Sequence, residues 1–184
     1  LLHAGPIPLA PTIQTFVRFC DVVIVMVDTP HPPEFDTTRL LAHKRPQNFD
    51  YTSLRVAVDG VMSQAINQNK PLTLIISSTV SPGTVRSLTA GHPQHVKIGY
   101  SPVLIALGSV VRDLTNPDMV IVGTDDPTVH DIVEQIWTPV INTKPILKLG
   151  LGEAELAKLS MNAFISFKIA FVNHLARMSE ALGV

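Results

Sequence analysis

From residue 153 to residue 182 the chain holds neither proline nor glycine and keeps one helical periodicity throughout. At 1.5 Å per residue this segment predicts a helix of ~45 Å. A helix that long bridges two domains or forms an interface between subunits. It also carries an unusual pair. Lys158 and Asn162 stand one turn apart, so they project from the same face, which Ile165, Ile169 and Val172 continue. A lysine beside an amide on an apolar stripe suits holding a developing oxyanion or an ordered water. The competing expectation is a lysine that snorkels to solvent beside an amide filling a polar gap.

Upstream, short apolar runs alternate with helical patterns. Asp21-Val-Val-Ile-Val-Met-Val27, closed by Asp28-Thr29-Pro30, predicts a strand buried on both faces. A proline-rich surface loop is expected from His31 to about Asn48. Leu54, Val58, Val61, Met62, Ala65 and Ile66 then mark the apolar face of a helix over residues 52–69, and a strand follows over residues 72–77. Ser81 is the expected cap of a short helix over residues 85–90, with Pro82 in its first turn. Further strands are expected at residues 96–100, 119–123 and 145–148, with a helix over residues 128–137. Alternation of this kind predicts an α/β chain with a mainly parallel sheet. The expected architecture is an incomplete Rossmann-like domain over residues 1–150, followed by a long connecting helix over residues 151–184.

Composition narrows the function classes. Hydrophobic residues make up 46% of the 184-residue chain and charged residues 16%, so a packed core is expected and part of the surface should be covered by other protein. A net charge of -1 with scattered basic residues argues against nucleic acid or an acidic membrane as partner. No apolar run approaches the ~20 residues needed to span a bilayer. The single Cys20 cannot form a disulfide within the chain, and reads as a buried core thiol in a reducing, cytoplasmic compartment. The start Leu1-Leu2-His3-Ala4 resembles an internal position of a longer protein.

In open α/β sheets ligands bind beyond the carboxyl ends of the strands, where Asp28-Thr29-Pro30 and Ser77-Ser78-Thr79 would supply hydroxyls and free amides. The helix opening at Ser81-Pro82-Gly83 would turn its positive end toward such a ligand. Ordinary strand-to-helix capping explains any one of these residues equally well.

Together the segments resemble the UDP-glucose/GDP-mannose dehydrogenase family, the nucleotide-sugar 6-dehydrogenases. The resemblance rests on the strand ending in Thr29-Pro30, on Ser78-Thr-Val-Ser-Pro-Gly-Thr84, on Ser101-Pro102 with Gly108 and Arg112-Asp113-Leu114 through Gly123, and on Ala154-Glu-Leu-Ala-Lys158 with Asn162. It implies NAD as cofactor, a nucleotide sugar such as UDP-glucose as substrate, and two-step oxidation of the sugar C6 alcohol to a uronate of the kind used in polysaccharide biosynthesis. It assigns Thr79, Lys158 and Asn162 to the reacting centre, and Thr29, Pro30, Ser78 and Thr79 to the cofactor. It also implies a homodimer formed through the long helix.

Three departures from the family pattern bear on activity. Val103 and Leu107 stand where the resemblance places glutamates, which removes a carboxylate for proton handling. No Gly-x-Gly-x-x-Gly occurs to cradle the cofactor phosphates. The domain that carries the family's nucleophilic cysteine has no counterpart in these residues. Impaired oxidation is therefore expected of the chain as it stands, and a non-catalytic association scaffold is the alternative.

Overall fold

The computed structural model describes residues 9–31, 48–106, 108–141 and 145–184. The expected loop after His31 and the start of the chain lie largely outside them, as does Leu107. The elements in order are α1 (Ile13–Phe19), β1 (Val22–Val25), α2 (Thr52–Asn67), β2 (Leu72–Ile76), α3 (Thr84–Leu88), β3 (Val96–Tyr100), α4 (Val110–Thr115), β4 (Val120–Gly123), α5 (Pro127–Trp137), β5 (Ile146–Leu149) and α6 (Leu151–Leu182). The five strands lie side by side in sequence order. β1, β2 and β3 run parallel, and so do β4 and β5, while β3 meets β4 in antiparallel sense through Tyr100 and Gly123. This is the mainly parallel, Rossmann-like α/β sheet read from the sequence, ending in the long helix.

Local chemistry explains most boundaries. On α2 the residues Leu54, Val58, Val61 and Ala65 recur at helical spacing and are buried against the sheet. Asp126 caps α5 by accepting from the Thr128 amide at 2.9 Å, with Pro127 at the first helical position. α6 opens with the Glu153 carboxylate reaching back to accept from the Gly150 amide at 2.8 Å. One core packs α1, α2, α3 and the start of α6 on β1, β2 and β3. A smaller one seats Val129 and Val133 of α5 on Ile75, Val120 and Val122.

Three expectations are corrected here. β1 is buried on one face rather than two: Val23 and Val25 point into the core, whereas Ile24 is 47% and Met26 55% exposed. Only one of its edges is paired, with β2, among the described residues. Cys20 is half-buried at the margin of the core rather than inside it. The third concerns α3. Its N-cap is Gly83, in the left-handed region at φ 88°, and not Ser81. A turn in which the Thr84 amide donates to the Ser81 carbonyl at 3.1 Å delays the helix, and glycine adopts the required backbone without strain.

The start of α6 lies directly on β4. A Cβ on Gly123 would come within 2.4 Å of the Ala154 Cβ, 3.1 Å of the Gly150 carbonyl oxygen and 3.3 Å of the Leu151 Cα. The last two atoms are backbone and cannot swing away. Gly123→Ala is therefore expected to lower stability by about 1–3 kcal/mol through overpacking. Urea unfolding reads this as a lower midpoint, and an unchanged midpoint would show that α6 is not wedged against β4.

Candidate active site at the strand ends

The parallel strands β1, β2 and β3 all end on one side, and their ends are tied together by hydroxyls. The Thr29 Oγ1 donates to the Thr79 carbonyl at 2.7 Å. The Ser78 Oγ donates to the Val27 carbonyl at 2.7 Å and accepts from the Val27 amide at 2.9 Å. The Ser77 Oγ donates to the Ser101 carbonyl at 2.7 Å. These contacts set three loops in register. They also spend the single hydroxyl donors of Thr29 and Ser78 inside the protein, leaving lone pairs and backbone groups to meet a ligand.

Over these ends passes α6. Its Lys158 is only 8% exposed and its Nζ donates to the Val103 carbonyl, just beyond β3, at 3.0 Å. The lysine therefore turns inward, and the snorkelling alternative fails. Burial pushes its pKa down, because taking an ammonium out of water favours the neutral amine. Among the described residues no carboxylate pairs with it.

Thr29, Ser78, Thr79, Lys158 and Asn162 line one open cleft of about 860 Å³. Residues distant in sequence are thus brought together. Pro30 is not in its lining; it is exposed, and its carbonyl accepts from the Asp50 amide at 2.7 Å. The Thr79 hydroxyl has no hydrogen-bond partner among the described residues, and Asn162 is exposed with its amide free. Lys158 and Asn162 also border a second cavity of about 590 Å³, between α6 and the segment running from Leu104 to Met119. They stand on the wall between the two spaces. Val103, where the resemblance stated above places a glutamate, lies in the cleft and provides the lysine's acceptor through its backbone.

The positive end of α3 does not face this cleft as expected. Its first amides are taken by Glu155 of α6, a buried carboxylate that the sequence reading passed over. A carboxylate three residues before a lysine looks like an ordinary helix-surface pair, and no spacing rule marked it as buried.

The family model for the NAD binding domain of UDP-glucose/GDP-mannose dehydrogenases matches residues 7–141, and the model for that family's central domain matches residues 152–184. The chain belongs to the UDP-glucose/GDP-mannose dehydrogenase family. It is 27% identical over 153 residues to the UDP-glucose 6-dehydrogenase of Rickettsia prowazekii (strain Madrid E), covering 81% of this chain and 35% of that protein. It is 26% identical over 145 residues to the UDP-glucose 6-dehydrogenase YwqF of Bacillus subtilis (strain 168), covering 75% of this chain and 32% of that one. The chain therefore spans about a third of the length of such relatives. Among solved structures, GDP-mannose dehydrogenase from Pseudomonas aeruginosa superposes with a TM-score of 0.78 at 21% identity, over 94% of this chain and 38% of that one. The UDP-glucose dehydrogenase from Pyrobaculum islandicum gives 0.77 at 23%, over 90% and 37%. Both share the fold.

Proposed function

We propose that the cleft is the reacting half-site of an NAD-dependent nucleotide-sugar 6-dehydrogenase, with the cofactor entering over Thr29 and Thr79 and the sugar alcohol lying against Lys158 and Asn162. The observation that carries this reading is the convergence of Thr79, Lys158 and Asn162 on one cleft, from the end of β2 and the start of α6. The residues present fit the nicotinamide-ribose end of NAD, since the floor is built from small hydroxyl side chains and the Thr79 hydroxyl is unpartnered. The pyrophosphate has no glycine-rich turn to meet in this sequence. NAD would supply the hydride acceptor.

The chain's own residues do the rest. As an ammonium, Lys158 can hold an alkoxide in a partly dry site, where such a charge acts more strongly than in water. With its pKa lowered by burial, it can also receive the alcohol proton more readily at working pH. The Asn162 amide can donate to the same oxygen or orient a water. With Val103 apolar, the cleft has no glutamate at that position to activate water. Oxidation to the acid would then be impaired.

That same Val103 favours a second reading, a non-catalytic paralogue that keeps the scaffold for association. Calorimetric titration separates the two. If the cleft is a cofactor site, NAD gives saturable heat with a dissociation constant below about 1 mM, and Thr79→Ala weakens it. Flat titrations with both NAD and UDP-glucose would overturn the enzymatic reading and leave the scaffold.

A further inference from the structure

We propose that Glu155 is a positioning residue that fixes where Lys158 and Asn162 stand relative to Thr79. The inference rests on the reading of the cleft given above.

Glu155 lies one helical turn before Lys158 on α6 and is only 1% exposed. Its Oε2 accepts from the Gly83 amide at 2.6 Å and its Oε1 from the Val85 amide at 2.8 Å. Both carboxylate oxygens are thus held by the backbone that opens α3. Carboxylates bind such unpaired amides well, because charge-assisted hydrogen bonds are short and the end of the helix carries partial positive charge. Gly83 lies four residues beyond Thr79 in the same loop. One side chain therefore ties α6 to the loop that carries the free threonine hydroxyl.

The tie has a geometric consequence. Between the start of α6, seated on Gly123, and its exposed continuation, two side-chain anchors hold the helix over the strand ends. Lys158 bonds to the end of β3 through Val103, and Glu155 bonds to the loop after β2 through Gly83 and Val85. One anchor alone would leave the helix able to turn about it. Two anchors on different loops fix both its rotation and its advance, and with them the side from which Lys158 and Asn162 enter the cleft. A shorter aspartate cannot reach both amides, and alanine reaches neither.

The test compares Glu155→Ala, Glu155→Asp and Glu155→Gln with the parent 184-residue chain. NAD titrations are run at a temperature where circular dichroism shows each protein fully folded, alongside hydrogen exchange over residues 79–88 and 151–162. The expected result is NAD binding at least tenfold weaker in the alanine and aspartate variants, with faster exchange in both segments together. Glutamine keeps the length and one acceptor, so it should recover part of both. If Glu155→Ala fails to fold, the aspartate and glutamine pair carries the comparison. A purely structural role would lower the melting temperature and leave the NAD constant unchanged in the folded variants, and that result overturns the proposal. Should the parent bind no NAD, the cofactor reading fails by itself, and exchange then decides. Joint loosening of the loop and the helix start would support the tie, and unchanged protection would overturn it.

Discussion

Lys158→Met is expected to melt higher than the parent chain at pH 7 while sharply slowing whatever chemistry the cleft performs. The parent holds an ammonium away from water with a backbone carbonyl as its one hydrogen-bond acceptor and no carboxylate partner among the described residues. Methionine keeps nearly the same length and removes the charge. Replacing a buried ionised group by a well-packed apolar one of similar volume commonly stabilises by about 1–4 kcal/mol, and the lost bond to the Val103 carbonyl offsets about 1 kcal/mol. For a chain of this size, at about 2–4 °C per kcal/mol, the remainder of up to about 3 kcal/mol corresponds to a rise of up to roughly 12 °C.

The sign of the pH dependence follows from the lowered pKa. Between the folded value and the ordinary lysine value, the unfolded chain binds more protons than the folded one, so the lysine's unfavourable contribution fades as pH rises through that window. The advantage of the methionine variant should therefore be largest near neutrality and shrink toward pH 10. A variant that melts lower than the parent at pH 7 would show that the carbonyl bond outweighs desolvation. In a chain carrying all the family's domains, the same substitution is expected to cost turnover about 10²–10³-fold, the usual effect of removing one oxyanion donor. Greater stability and lost function would then come from one atom.

The second large effect concerns the far half of α6. Beyond Met161 nearly every side chain is exposed, including Phe164 at 62%, Phe167 at 64% and Phe171 at 51%. These three lie on one face, and the rings of Phe167 and Phe171 stack at 6.2 Å. No helix among the described residues is long and apolar enough to cross a membrane. We propose that a second copy of the helix covers it, the homodimer expected from the sequence. The parent should sediment as a dimer or larger species at tens of micromolar, and Phe164→Glu, Phe167→Glu and Phe171→Glu combined should give a monomer. Each buried phenylalanine is worth about 1.5–3 kcal/mol, so losing three raises the dissociation constant by at least on the order of a thousandfold. A monodisperse parent monomer would refute the interface.

Periodicity made most elements legible. α2, β2, β3, β4, α5, β5 and α6 stand within two residues of where the patterns of Leu54 to Ile66, Leu72 to Ile76 and their successors put them. α1 and α4 were not read, because Ile13–Phe19 and Val110–Thr115 are too short to show a helical period clearly. Their helicity depends on neighbours: α1 packs on α2 and buries only Val17, while α4 is braced by the Asp113 carboxylate, which accepts from the Ser109 hydroxyl at 2.6 Å and the Ala106 amide at 3.0 Å. The same limit applied to α3, where a side chain seventy residues away decides which amide is capped first.

By itself the sequence determined the alternating α/β order, the long helix and the pairing of Lys158 with Asn162 on one face, because side-chain direction along a helix or strand follows from backbone geometry alone. Tertiary structure alone decided what those residues face. It turned Lys158 inward to Val103, hid Glu155 beneath α3, left Ile24 and Met26 uncovered, and placed the Thr79 hydroxyl unpartnered in the cleft. Burial and hydrogen-bond partnership are properties of pairs of segments. A local pattern shows which side of a helix is apolar, but the carbonyl or amide that meets a buried charge comes from wherever the sheet brings another loop.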